Sequence, residues 1–122
     1  MRPDADQSEE YQHRIDKRLF LNEMAKDEMA IKSSPNSADA YVSRAMLYNF
    51  LGKSDAAISD LTIALRVEPS NPEAYHQRGK AFEMSNQKDK ALADFSKFLD
   101  LCTTAVACDD ARQHLRRLGV TR

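Results

Sequence analysis

The sequence has no tryptophan, and only 3 glycines, 4 prolines and 2 cysteines among its 122 residues. Each shortage removes a class of protein. So few turn-forming residues, with no β-branched runs, argue against sandwiches and barrels, which need tight turns throughout. Gly52, Gly79 and Gly119 stand far apart. A phosphate-cradling loop needs its glycines close together, so Rossmann and P-loop sites are excluded. No window approaches the ~18 apolar residues of a membrane helix, and the N-terminus lacks the apolar centre of a secretion signal. A cytoplasmic location is the expectation. An excess of one charge is missing too: 18 basic residues oppose 19 acidic ones, a formal net charge of −1. Nothing there rewards duplex nucleic acid or an anionic membrane, so neither is expected as a partner. Cys102 and Cys108 are too few for a disulfide framework. Two buried or half-buried free thiols are the main expectation, with a local bridge across a turn left open by their proximity.

What is present is a globular composition, 42% hydrophobic and 30% charged, and a repeat. Residues 38–71 laid on 72–105 match identically at Ala40/Ala74, Tyr41/Tyr75, Arg44/Arg78, Asp55/Asp89, Ala57/Ala91, Asp60/Asp94 and Leu65/Leu99, a period of 34. Elsewhere the chemistry matches: Ala45/Gly79 are small, Tyr48/Phe82 aromatic, and Ile58/Leu92, Leu61/Phe95 and Val67/Leu101 apolar. Small residues at 45, 57, 79 and 91 let two helix backbones approach closely, while the aromatic and apolar partners fill the space around the contact. Each unit therefore reads as a helical hairpin. Asn71 before Pro72 gives an N-cap with proline at the first helical position, and Ser54 or Asn86 could cap the second helix of each pair. Helices are expected near 38–51, 54–67, 72–85 and 88–101.

This pattern resembles the tetratricopeptide repeat, W-x2-L-G-x2-Y, then A-x3-F, then P, over about 34 residues. The second unit has Tyr75-x2-Arg78-Gly79-x2-Phe82 and Ala91-x3-Phe95-x2-Phe98; the first has Tyr41-x2-Arg44-Ala45-x2-Tyr48 and Ala57-x3-Leu61-x2-Ala64, closing at Pro69. The resemblance covers 38–105 and implies an all-α helical-hairpin solenoid of one domain, with repeats at 38–71 and 72–105. Residues 4–37 occupy the slot of a preceding repeat but fill it badly, since the helix-contact positions fall on Tyr11 and Glu23. One N-terminal capping helix over 7–32 fits better: Asp6-x-x-Glu9 resembles a capping box, and Tyr11, Ile15 and Leu19 recur at i+4 beside Phe20, Met24 and Ile31. Residues 106–120 read as a C-terminal capping helix, with Asp109 and Asp110 in its first turn, Arg116 and Arg117 in its last and Gly119 as C-cap. Solenoids need such end helices.

The resemblance also implies where a ligand would sit. In such arrays the first helix of each hairpin lines a concave groove, with the residues one, five and nine places after the aromatic pointing inward. That implies Val42, Met46 and Phe50 in one repeat and His76, Lys80 and Met84 in the next, flanked by Asp39, Asn49, Glu73 and Glu83. Three apolar residues at i, i+4 and i+8 that the hairpin core does not need imply a cover. Either the N-terminal helix or a peptide or helical segment of another protein would supply it. Some family members clamp the C-terminal carboxylate of heat-shock chaperones with lysines, asparagines and an arginine on these faces. Val42 and Met46 stand in the first clamp places, Gln77 is the nearest thing to its asparagine, and no third repeat supplies the rest, so that ligand is disfavoured. Cys102, Cys108 and His114 match no zinc pattern, and His13, His76 and His114 have no companion nucleophile. A non-catalytic interaction module with no cofactor or metal is expected, with self-association into a homodimer as the rival reading.

Overall fold

The computed structural model describes the backbone of residues 4–119 and the side chains of residues 17–119. Among the described residues it is entirely helical: α1 (Asp4–Ser33), α2 (Ala38–Phe50), α3 (Ser54–Val67), α4 (Pro72–Met84), α5 (Lys88–Leu101) and α6 (Ala105–Arg117). Each helix packs on its neighbours in sequence, and α2 also packs on α4. The α2–α3 and α4–α5 hairpins are thereby stacked with their first helices side by side. The four repeat helices agree with the expected spans to within a residue. None of the described helices is long and apolar enough to cross a membrane.

Capping shows why the helices begin where they do. Asn71 accepts from the Ala74 N–H at 3.0 Å, and Pro72 opens α4. Ser37, one period earlier, does the same for Ala40, and Thr104 caps α6 through Ala107. The second helices depart from expectation. Ser54 lies inside α3, whose N-cap is Lys53, and α5 starts from Gln87; neither has a side-chain cap bond. Asn86 instead takes φ 61°, matching Gly52 at 75° one period back. Both turns close identically, Lys53 N–H on Tyr48 O and Gln87 N–H on Phe82 O, each at 2.8 Å. A left-handed residue ends the first helix of each hairpin, the role for which glycine and asparagine are suited.

The small-against-large contact holds each hairpin together. Ala45, Ala57, Ala91, Leu61 and Phe95 have no exposure, and Gly79 lies so close to the Phe95 ring that a Cβ would meet it at 2.8 Å. The two arginine–aspartate identities prove to be paired. Arg44 Nε and NH2 donate to Asp60 at 2.8 Å each, and Arg78 does the same to Asp94 at 2.7 and 2.9 Å. These forks tie α2 to α3 and α4 to α5. Each aspartate hydrogen bond holds its arginine above the ordinary guanidinium range, against the opposing effect of burial.

The two ends are built differently. α1 is one continuous helix that starts before the expected residue 7 and packs along α2. Ile31 joins the first core, Asp27 accepts from Ser43 Oγ at 2.9 Å, and Phe20 meets Phe50 with ring centroids 6.0 Å apart. The Asp6 and Glu9 side chains, Tyr11 and Ile15 lie outside the described side chains. α6 buries Ala111 and Leu115 against the second hairpin. It begins at Ala105, so Asp109 and Asp110 fall beyond its first turn, while Gly119 takes φ 97° after its end, as expected of the C-cap. Cys102 and Cys108 are joined by a disulfide, contrary to the expectation of free thiols. With a Cα–Cα separation of 5.7 Å, the bridge links the end of α5 to the first turns of α6.

Candidate functional site

The first helices α2 and α4, with α6 beside them, enclose a groove of about 590 Å³ lined by Met46, Asn49 and Phe50, by Gln77, Lys80, Glu83 and Met84, and by His114 and Arg117. Six of the ten residues expected in the groove or flanking it, Met46, Asn49, Phe50, Lys80, Glu83 and Met84, are thus brought together. Phe50 is 83% exposed, Met46 45% and Met84 46%. Their surroundings explain why: α1 meets Phe50 through the tilted ring of Phe20, and the hairpin core is already filled by Tyr48, Leu61 and their neighbours.

Val42 and His76 do not line the groove. Val42 is 6% exposed, in the core cluster that Ile31 of α1 packs against. His76 is buried because α6 closes over it. Its ring stacks on Phe98 at 4.6 Å, and its Nε2 lies 2.6 Å from Asp110 Oδ2. His114 stacks on Phe95 at 4.6 Å, and its Nδ1 lies 2.8 Å from Glu83 Oε1. Arg117 bends over the same pair, with Nε 3.3 Å from Glu83 Oε2 and NH2 2.6 Å from His114 Nδ1 itself. One polar wall of the groove is therefore continuous with a histidine–carboxylate cluster between α4 and α6.

Hydrogen bonds set the electrostatics of that wall. The His76 ring, its Nδ1 3.8 Å away, holds the Glu73 carboxyl below its ordinary value against burial, helped by the N–H that Gln77 donates at 2.8 Å. For Asp110, burial is the largest single influence and pushes upward. It is outweighed by the His76 hydrogen bond and the nearby His76, His114 and Lys80 charges, so the carboxyl lies low. Between α2 and α4, Asn49 Nδ2 donates to both oxygens of Gln77 at 3.0 and 3.1 Å, while Asn49 Oδ1 is buried without a partner. A buried acceptor left unsatisfied costs about 1–3 kcal/mol, and this one sits in the wall of the groove. The sequence pointed to neither His114 nor Arg117 in the groove, and to Gln77 only as the nearest thing to a clamp asparagine.

A family profile described as tetratricopeptide repeat matches residues 28–59, from the end of α1 through α2 into α3. The solved structures agree over nearly the whole chain. The Arabidopsis OM64 TPR domain superposes with a TM-score of 0.74 at 26% identity, covering 87% of this chain and 88% of that one. The chain has the fold of a tetratricopeptide-repeat domain. The first TPR of Spaghetti (RPAP3), bound to the HSP90 peptide SRMEEVD, matches its fold at TM-score 0.74 and 21% identity, covering 92% of this chain and 90% of that one. The second TPR domain of human RPAP3, in complex with the HSP70 peptide SGPTIEEVD, matches at 0.74 and 20%, covering 93% and 92%. No curated protein matches the sequence.

Proposed function

We propose that the chain is a non-catalytic interaction module that takes a peptide or helical segment of another protein into the groove between α2, α4 and α6. One observation carries the reading: Met46, Phe50 and Met84 remain in water on a single concave wall, although no part of the core needs them there. Apolar surface gathered in a concavity with a polar rim is surface for a partner. Met46, Phe50 and Met84 would hold an apolar side chain of the segment, and Lys80 and Glu83 would set its orientation.

The two peptide-bound relatives support a segment of another protein as the class of ligand. Their chaperone tails are not carried over. Val42 is buried, Met46 brings no polar group, and the Gln77 amide is engaged by Asn49 and Glu73.

The test is selection of peptides from a displayed random library, followed by NMR of the methionine methyl groups. Binding should shift Met46 and Met84, and Met46→Glu with Phe50→Glu should abolish it while helical circular dichroism is retained. Peptides that leave both methyls unmoved, or that still bind the double variant, would refute the assignment. A second reading, self-association through the end helices, draws on the exposed Leu19, Leu21 and Met29 of α1. A sedimentation coefficient rising with concentration would support it.

A further inference from the structure

The cluster between α4 and α6 has a geometry that packing alone does not require. His76 Nε2 and His114 Nε2 lie 2.6 and 3.6 Å from the same atom, Asp110 Oδ2. One donor atom from each of the three residues falls within 4.8 Å of the others. A histidine placed for structure needs one partner, yet here two rings turn the same nitrogen toward one oxygen. Behind each ring, the other nitrogen faces a second carboxylate: His114 Nδ1 is 2.8 Å from Glu83 and His76 Nδ1 3.8 Å from Glu73.

We propose that His76 Nε2, His114 Nε2 and the Asp110 carboxylate bind a divalent transition-metal ion of the zinc class, with the fourth position left to water. Zinc holds imidazole nitrogen and carboxylate oxygen at about 2.0–2.2 Å, so a tetrahedral site spaces its ligand atoms roughly 3.4 Å apart. The spacing present needs a small opening of the His76–Asp110 contact at 2.6 Å, and the two ring nitrogens, within 4.8 Å of each other, come to the same separation. That contact is held by a proton at the place an ion would take, so binding releases protons.

Two groups compete for His114 Nδ1: Glu83 Oε1 at 2.8 Å needs a proton there, and Arg117 NH2 at 2.6 Å, a donor, needs the lone pair. An ion on Nε2 selects the Nδ1–H tautomer, with Arg117 turned wholly to Glu83 Oε2, already 3.3 Å from its Nε. Outer carboxylates of this kind orient and strengthen histidine ligands. Phe98 and Phe95 fix the two rings by stacking, and the Cys102–Cys108 bridge anchors the start of the helix that carries Asp110 and His114. The same bridge removes both thiols from competition for the ion.

Untagged protein with the disulfide intact, stripped of metal, is titrated with zinc by calorimetry near neutral pH, and with cobalt(II) while visible absorption is followed. One ion per chain should bind, cobalt should give the intense ligand-field bands of a four- or five-coordinate site, and zinc should raise the melting temperature. Glu83→Gln should weaken binding about 10- to 100-fold; His114→Gln and Asp110→Asn should weaken it further, with helical content unchanged. His13→Gln should leave it unaltered. Asp110 is the half-exposed member of the set, so its variant keeps the test informative if His114→Gln unfolds. Absence of saturable binding, binding that survives Asp110→Asn at full strength, or binding removed by His13→Gln would overturn the site.

Discussion

Gly79→Ala tests the contact on which each hairpin depends. A methyl at this position would lie 2.8, 2.9 and 3.0 Å from Cε1, Cδ1 and Cζ of Phe95. That ring is fully buried and stacked on His114 at 4.6 Å, so it has nowhere to swing. Alanine gains about 1 kcal/mol over glycine inside a helix, while overpacking a filled core costs about 1–3 kcal/mol. The net expectation is a loss of about 1 kcal/mol, a fall of roughly 3–6 °C in melting temperature for a domain of this size. The first repeat already solves the same problem differently, with Ala45 and Leu61 at the equivalent places. Phe95→Leu alone should cost about 1–2 kcal/mol by opening a cavity. Combined with Gly79→Ala it recreates the first repeat's pairing, so the double variant should be more stable than the sum of the singles by about 1 kcal/mol. Urea unfolding of all four proteins, followed by circular dichroism, measures the coupling. A stabilised Gly79→Ala, or strict additivity in the cycle, would refute the close contact.

Asp94→Ala strands the largely covered Arg78 guanidinium and should cost about 2–4 kcal/mol in urea unfolding; a loss under half of that would mean the fork contributes little. Replacing Cys102 and Cys108 by serine opens a small loop and should cost about 2 kcal/mol on the chain-entropy account, with α6 amides gaining hydrogen exchange first. Glu73 and Asp110 have folded pKa values below their ordinary 4.5 and 3.8. Their contribution is therefore complete above those values and lost as pH falls through the lower folded ones. Stability measured from pH 7 downward should lose this contribution only below about pH 4.5, less steeply in Asp110→Asn; equal slopes in the two proteins would contradict it. Removing residues 1–33 takes Ile31 off the first core and should cause aggregation or a broadened transition if α1 is a cap. A stable monomer with raised peptide affinity would instead make α1 an inhibitor of the groove.

The sequence by itself determined the hairpins. A 34-residue recurrence of Ala or Gly opposite Leu or Phe has one physical use, the close approach of two helices. Asn71 with Pro72 marked a helix start that local chemistry alone decides. The Arg44/Arg78 and Asp60/Asp94 identities carried the signal of the buried forks as well, each arginine 16 residues before its aspartate. Asn86 was misread because asparagine suits both an N-cap and a left-handed turn, and only the backbone φ separates the two.

The tertiary structure decided what the inner face shows. Val42, Met46 and Phe50 share one helix face, but docking of α1 buries the first and leaves the other two in water. His76 is withdrawn because α6 closes over it, bringing Asp110 and His114 against a ring that looked isolated. His76 and Asp110 are 34 residues apart, and in a solenoid of that period such a separation is adjacency. That phase was legible. The docking of α6 was not, because its place is set by a short connection, the Cys102–Cys108 bridge and the burial of Ala111 and Leu115, and none of these repeats.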